Sequence, residues 1–341
     1  MTLRLRRPLP LAPDAGEVLP PGMAVEEVVA FLKKGRVFRV TSTYGRGARI
    51  LRAVARQMAP SQNATFKEKR RATRSHRAVA SRLLVGVDHG HLVLEERRRL
   101  GLAEELYSDM ARFSLPLIRT QELHGAAQRF EEGTHLPVLG RRLHPFFGVY
   151  LPTRMIHLEL FATWLQAYSG PMHRVIDVGT GSGVLGFMVE RAGAQEILAT
   201  DTNPNALESV HREFSRVRPS ATWALRQGDL LCGATAMADL IVCNPPWLPG
   251  APQSDVDEGL TGDPDLLGRL LEAAGPRLNP GGRVAVLFST IATLVRPDLP
   301  HPVEKAVADH GWTVVQRMQR RVKGKTREKV EVWELSPPEA S

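Results

Sequence analysis

The residues with the most chemistry in this chain of 341 lie between 174 and 247, in two groups. The first is Gly179, Gly181 and Gly183. It follows the short apolar run Arg174–Val178, which contains Asp177, and precedes the apolar periodic segment Val184–Arg191. Strand, tight glycine turn and helix in that order let backbone N–H groups and a helix N-terminus face a ligand. A second strand-like run, 197–200, leads to Asp201 at about the spacing where an acid accepts hydrogen bonds from a ribose. The second group is Asn244-Pro245-Pro246-Trp247, at the carboxyl end of the strand-like run 238–242. Ligands of open α/β sheets bind at such strand ends. Gly181, Gly183 and Gly186 also satisfy G-x-G-x-x-G, so a dinucleotide-dependent dehydrogenase is a competing reading. Hydride transfer, however, has no use for an Asn-Pro-Pro-Trp.

The whole set of motifs resembles the class I S-adenosylmethionine-dependent methyltransferases, in their Asn-Pro-Pro-aromatic branch. That branch includes the release-factor glutamine methyltransferases and several RNA and DNA base-amino methyltransferases. The similarity is carried by Asp177-Val178-Gly179-Thr180-Gly181-Ser182-Gly183, by Asp201 with Asn203-Pro204 and Ala206-Leu207, and by Asp239-Leu240-Ile241-Val242 before the Asn. In order, these motifs cover most of residues 148–335.

The resemblance implies a Rossmann-like, doubly wound, seven-stranded and mostly parallel sheet with an antiparallel edge strand. It implies S-adenosylmethionine as cofactor, held by Asp177, Gly179, Thr180, Gly181 and Gly183 in the turn and by Asp201 and Thr202 after the second strand. Asp229 with Leu230 matches the position that contacts the adenine amino group; its plainer reading is a helix or turn cap. Asn244 borders both cofactor and acceptor. The catalytic set is Asn244, Pro245, Pro246 and Trp247.

The chemistry asks for these residue types. An amide or exocyclic base nitrogen is a poor nucleophile because its lone pair is delocalised. A site that accepts both N–H hydrogens aims the lone pair at the sulfonium methyl. The Asn244 side-chain carbonyl and the Pro245 backbone carbonyl suit those acceptor roles, and two prolines hold the backbone rigid. Trp247 offers a flat face to a planar target. With a cationic donor, no strong general base is required.

One segment departs from the glutamine branch. Gly148-Val149-Tyr150-Leu151-Pro152-Thr153-Arg154 stands where that branch has a Gly-Val-Phe-Pro-Arg-like closure, and the acidic residues that usually follow are missing. The departure puts a protein acceptor in doubt. His144 reads as structural. In the helix at 205–217, Arg212-Glu213-Phe214 replaces the family's Asn-Ala.

Composition narrows the class. The 43% apolar share supports a buried core. Cys232 and Cys243 form neither a disulfide framework nor metal spacing. No signal-peptide core or membrane-length apolar stretch occurs, which implies a soluble, cytoplasmic protein with no membrane partner. Residues 1–145 hold 26 Lys and Arg against 14 Asp and Glu, so the basic excess lies N-terminal and points to a polyanion such as RNA. Solvated helix faces of an Arg-rich protein are the plainer alternative.

The supporting elements follow in chain order. Residues 1–22 read as a flexible, Pro-rich N-terminus, and 23–135 as a basic, mainly helical substrate-recognition domain. Within it, helices are expected at 25–34, 48–58, 65–84 and 92–106, with a strand near 37–43. The helix at 65–84, bearing Lys67, Lys69, Arg70, Arg71, Arg74 and Arg77, is the candidate phosphate-tracking element. Residues 136–341 read as the catalytic domain. Thr153 is the expected cap of a helix through 167, Pro204 the first residue of its helix, and Asp263 the cap of a helix to 274. Residues 279–282 form a turn, 248–262 a loop over the target, and 314–318 with 330–335 an edge strand pair.

These readings converge on N-methyl transfer to a planar amino or amide nitrogen, with an RNA base (rRNA or tRNA) put ahead of a protein glutamine. A small-molecule acceptor and a non-catalytic, cofactor-binding RNA factor are the further alternatives.

Overall fold

The computed structural model describes residues 3–62, 64–152, 155–249, 261–324 and 327–339. The chain folds as two compact units, divided near residue 131. The first holds β1 (Glu17–Val18), α1 (Val25–Lys33), β2 (Phe38–Val40), α2 (Tyr44–Gln57), α3 (Phe66–Ala80), β3 (Leu83–Asp88), β4 (His91–Leu92), β5 (Arg98–Arg99), α4 (Ala103–Leu106), β6 (Arg112–Pro116) and α5 (Leu117–Glu132). Its strands form a six-stranded mixed sheet in the order β1-β2-β3-β4-β5, with β6 on β3.

Three expectations are corrected in this unit. The basic helix stops at Ala80, and Leu83 and Leu84 open β3, whose first five residues are buried. A near-continuous apolar run is what a central strand shows. The charged stretch 92–106 is two short strands and a single helical turn, because Leu92 enters the sheet while Arg98 and Arg99 pair with Leu92 and His91. The Pro-rich start is not irregular throughout: Leu11 and Ser114 exchange backbone hydrogen bonds of 2.9 and 3.0 Å, and β1 runs parallel to β2.

The second unit holds β7 (Thr134–Leu136), β8 (Arg141–Leu143), α6 (Ile156–Ala167), β9 (Arg174–Val178), α7 (Val184–Arg191), β10 (Glu196–Asp201), α8 (Pro204–Val217), β11 (Thr222–Gln227), β12 (Ala238–Cys243), β13 (Leu248–Pro249), β14 (Thr261–Gly262), α9 (Leu266–Ala274), β15 (Leu278–Ser289), α10 (Ile291–Val295), α11 (Pro302–Asp309), β16 (Thr313–Arg321) and β17 (Lys329–Ser336). Seven strands form one sheet in the order β11-β10-β9-β12-β15-β17-β16. The first five are parallel, and β17 is antiparallel to both β15 and β16. The order reverses between β9 and β12, the switch point at which open α/β sheets bind ligands.

Every residue of β12 is buried, as are the last four of β9. One core cluster packs Leu158, Phe161 and Trp164 of α6 and Val184–Val189 of α7 on one face. A second packs Leu267, Leu270 and Leu271 of α9, with Val303 and Ala306 of α11, on the other.

Residues 279–282 are a bulge within β15 rather than a turn between elements. Leu278 lies opposite Ala238, but Arg283 lies opposite Leu240. Asn279 Nδ2 donates to Asp239 Oδ1 at 2.7 Å across it. The helix after Pro264 begins at Leu266 with Asp265 as its cap, two residues later than expected. Asp263 instead accepts the Asp265 backbone N–H at 2.9 Å, a local Asx turn that competes with capping. The expected cap Thr153 and residues 250–260 of the expected target loop lie outside the described residues.

Candidate active site

At the carboxyl ends of β9, β10 and β12 lies a cleft of about 230 Å³. Its floor is the turn after β9. Gly179, Gly181 and Gly183 have φ of +67°, +52° and +80°, the left-handed region that favours glycine. A Cβ on Gly179 would meet nothing within 4 Å and would project into open space. Gly183 differs: its added Cβ would press on Val210 at 2.9 Å and on Phe187 at 3.0 Å. Gly186 is closed too, since a Cβ there would overlap the Trp223 indole. Gly186 is therefore a packing glycine, and its place in G-x-G-x-x-G does not come from a pyrophosphate.

Asp177 sits beneath the turn, fully buried. Its Oδ2 accepts from Thr180 Oγ1 at 2.7 Å and from the Gly186 N–H at 3.0 Å. Burial pushes its pKa up to about 6, against those two donors, and the charge of Asp201 adds to the rise. Asp201 ends β10 and holds the turn from the other side, accepting from the Gly181 N–H at 2.9 Å and the Asn203 N–H at 2.8 Å.

Leu230 adopts φ +48°, a strained conformation for a branched side chain. Its carbonyl accepts from Thr200 Oγ1 at 2.6 Å. Asp229 beside it is ion-paired with Arg269 of α9 at 2.6 Å, and Arg269 also reaches Asp263 at 3.2 Å.

A strap over residues 141–152 lines the cleft with Gly148, Val149, Tyr150 and Pro152, and α8 holds the strap through one polar face. Asn203 caps α8 and donates to the Gly148 carbonyl at 3.0 Å; Asn205 donates to the Phe147 carbonyl at 2.8 Å. Ser209 Oγ accepts the Phe146 N–H at 3.1 Å. Glu213 pairs with Arg141 at 2.8 Å and lies 3.3 Å from His144 Nδ1, which makes His144 structural. All four α8 residues are buried.

The structure thus gathers Gly179, Thr180, Gly181, Asp201, Thr202, Asp229, Leu230, Asn244, Pro245 and Pro246 around one cleft. Asp177 and Gly183 stand behind it. Trp247 faces a neighbouring cavity of about 220 Å³ that shares Pro245, Pro246 and Leu266 with the cleft. The buried His157 ring packs against Trp247 in a T-shaped contact, with centroids 5.2 Å apart. Burial lowers the His157 pKa to about 4, so this imidazole is neutral. Burial, with the charges of Asp177 and Asp201, also pushes the Cys243 thiol up, which leaves it an inert thiol.

Among the described residues, Asp177 Oδ1, Ser182 Oγ and Asn244 Oδ1 are buried with no hydrogen-bond partner, as are both ring nitrogens of His157 against Trp247. Buried polar groups are nearly always paired; Ser182 and Asn244 line the cleft, so their unpaired oxygens are placed to meet a ligand there. Sequence reading passed over Ser182 because a serine in a glycine turn looks like a turn residue. The α8 face has no sequence signal of its own, because Asn205, Ser209 and Glu213 have the same spacing whether the face is buried or solvated.

Residues 158–295 match the family model of the methyltransferase small domain. The release factor glutamine methyltransferase of Deinococcus radiodurans is 42% identical over 94 residues, which is 27% of this chain and 33% of that protein. The ribosomal protein L11 methyltransferase of Lacticaseibacillus paracasei is 37% identical over 93 residues, 27% of this chain and 28% of that protein. The matched stretch thus spans about a third of these relatives. Among solved structures, a ribosomal protein L11 methylase from Lactobacillus delbrueckii subsp. bulgaricus aligns over 57% of this chain and 84% of its own, at 22% identity and a TM-score of 0.43.

The matched segment is a class I S-adenosylmethionine-dependent methyltransferase domain, with S-adenosylmethionine as its cofactor. The cleft fits that group. The buried Asp177 carboxylate and Asp201 set a negative field suited to a cationic ligand, and the open face of Gly179 leaves room for it.

Proposed function

We propose that this protein transfers a methyl group from S-adenosylmethionine to a planar N–H₂ group, and that the acceptor is an exocyclic amino group of an RNA base. The observation that carries the transfer chemistry is Asn244 Oδ1, a buried carbonyl oxygen with no partner at the end of β12 beside the glycine turn. S-adenosylmethionine supplies an electrophilic methyl on a sulfonium. Asn244 Oδ1 takes one N–H of the acceptor, and the Pro245 carbonyl takes the other. The acceptor lone pair is then held toward the donor methyl, and the prolines keep both carbonyls in place with no reorganisation during reaction. As the N–C bond forms and the C–S bond breaks, the nitrogen becomes a strong acid, so its proton leaves to water. Trp247 lines the neighbouring cavity across Pro245 and Pro246, which this reading assigns to the acceptor.

The choice of RNA rests on charge. Residues 6–131 carry 23 Lys and Arg against 13 Asp and Glu, whereas the chain's net charge is only +9. The reading places the enzyme in the cytoplasm with RNA or the ribosome as partner. The alternative, a glutamine side chain of a protein, is favoured by the 42% identical stretch. A flipped-out base and a presented glutamine offer the same planar N–H₂.

The test incubates the protein, and Asn244→Ala, with lysate of a strain lacking the gene and donor labelled in the methyl group. RNA, protein and small molecules are then separated. Asn244-dependent label in RNA is expected. Label in one protein band selects glutamine, and label in neither macromolecule contradicts both acceptors.

A further inference from the structure

Residues 28–87 contain 15 Lys and Arg and a single acid, Glu68. Glu68 is engaged at the start of α3, where its Oε2 accepts from the Thr65 N–H at 2.7 Å and from Thr65 Oγ1 at 2.8 Å. Some of the cations serve the unit itself: Arg36 pairs with Glu17, Arg46 donates to the Pro20 and Met23 carbonyls, and Arg82 to the Leu32 carbonyl.

Two triads do not. Arg49, Arg52 and Arg56 follow i, i+3, i+7 on α2, and Lys67, Arg71 and Arg74 follow i, i+4, i+7 on α3. Each spacing keeps its three cations on one helix face, over about 10 Å of axis at 1.5 Å per residue. All six side chains are exposed and, among the described residues, none has a hydrogen bond or ion pair. The buried face of α2 (Ile50, Leu51, Ala53 and Val54) fixes its triad outward. Residues α3 buries are only Val79 and Ala80, so that helix contributes little core for its length. Like charges on neighbouring turns are destabilising, and among the described residues none of the six has an acidic partner.

We propose that the exposed faces of α2 and α3 form a docking surface for the phosphate backbone of a nucleic-acid duplex. The duplex is RNA under the acceptor reading above, on which that choice rests. A backbone is tracked by evenly spaced cations. Single strands additionally need exposed aromatic platforms, and among the described residues from α2 through α3 the only exposed large apolar side chain is Phe66, at 37%. The same shortage disfavours an anionic membrane, which takes apolar side chains beside the basic ones.

The experiment uses the full chain and follows the fluorescence anisotropy of a labelled RNA hairpin, a DNA duplex of the same sequence and a uridine oligomer over a salt series. Sedimentation with phosphatidylglycerol vesicles runs beside it. R49Q/R52Q/R56Q and K67Q/R71Q/R74Q are compared with the parent, with thermal melts and cofactor affinity as checks on folding. The hairpin is expected to bind best. Each triple variant should lower hairpin affinity at least tenfold and reduce the slope of log K against log salt by about 2 to 3, with cofactor affinity unchanged. Unchanged slopes in both folded variants, equal binding of the uridine oligomer, or binding to vesicles alone overturns the docking surface. Triad-dependent binding to DNA but not RNA overturns the choice of RNA. Triad-dependent hairpin binding with methyl label only in protein leaves the surface standing and removes the RNA acceptor, so the two failures are distinguishable.

Discussion

Asn244 bears a cost that a ligand in this cleft would relieve. A buried carbonyl oxygen without a donor costs about 1–3 kcal/mol, and Asn244 Oδ1 is such an oxygen. Replacing Asn244 with Ala is therefore expected to leave thermal stability unchanged or raised. It should slow single-turnover methyl transfer by about 10²–10³-fold, the usual loss for one preorganised polar group. A melting temperature that falls by several degrees would mark Asn244 as a structural residue instead.

Asp177 gives the pH dependence. Its pKa rises from 3.8 to about 6 in the folded chain, so the folded state binds the proton more tightly than the unfolded state. Stability of the cofactor-free protein from this group is thus present at low pH and lost as pH rises from about 4 to about 6. Affinity for the cationic cofactor is expected to run the other way, because the Asp177 carboxylate is protonated below about pH 6. Calorimetric titration across pH 5 to 7 should show affinity rising with pH, and Asp177→Asn should flatten the curve. A flat curve in the parent protein would remove Asp177 from the account.

The element that decides the cleft is α8. Its start was legible, because Asn203-Pro204 is a cap followed by a proline at the first helical position. Its function was not, since periodicity shows that Asn205, Ser209 and Glu213 share a face but not that the face is buried against a strap 58 to 72 residues earlier in sequence. Asn205→Ala strands the Phe147 carbonyl and should cost about 1–3 kcal/mol of stability. The cofactor dissociation constant should rise with it, while Asn205→Asp, which keeps the shape but removes the donor, should behave like Ala. Unchanged cofactor affinity in a destabilised Asn205→Ala would mean that the strap is scaffolding alone.

The parallel strands were readable for the opposite reason. Strands β9 and β12 are short, largely apolar runs, followed by a glycine turn and by Asn-Pro-Pro, with few ways to be anything else. The stretch 92–106 was misread because strands of two residues carry no period, and a run of Glu and Arg imitates a solvated helix.

Across the whole molecule, charge and chemistry are segregated by unit. The unit at 6–131 carries the cationic excess, and the cleft with its unpaired acceptors lies in the other. No described helix is long and apolar enough to cross a membrane. Association with an RNA acceptor is therefore expected to weaken steeply with salt, whereas cofactor affinity in the buried cleft should be nearly salt-independent. Parallel falls in both would contradict that division.

The most direct measurement pairs two readouts on Asn244→Ala: cofactor affinity by calorimetry, and label transferred from methyl-labelled donor to the RNA fraction of a lysate lacking the endogenous protein. The account predicts cofactor affinity within a few-fold of the parent and label in RNA reduced by about 10²–10³-fold. Equal labelling of RNA by the parent and the variant would contradict it, because the acceptor nitrogen would then not be held by Asn244.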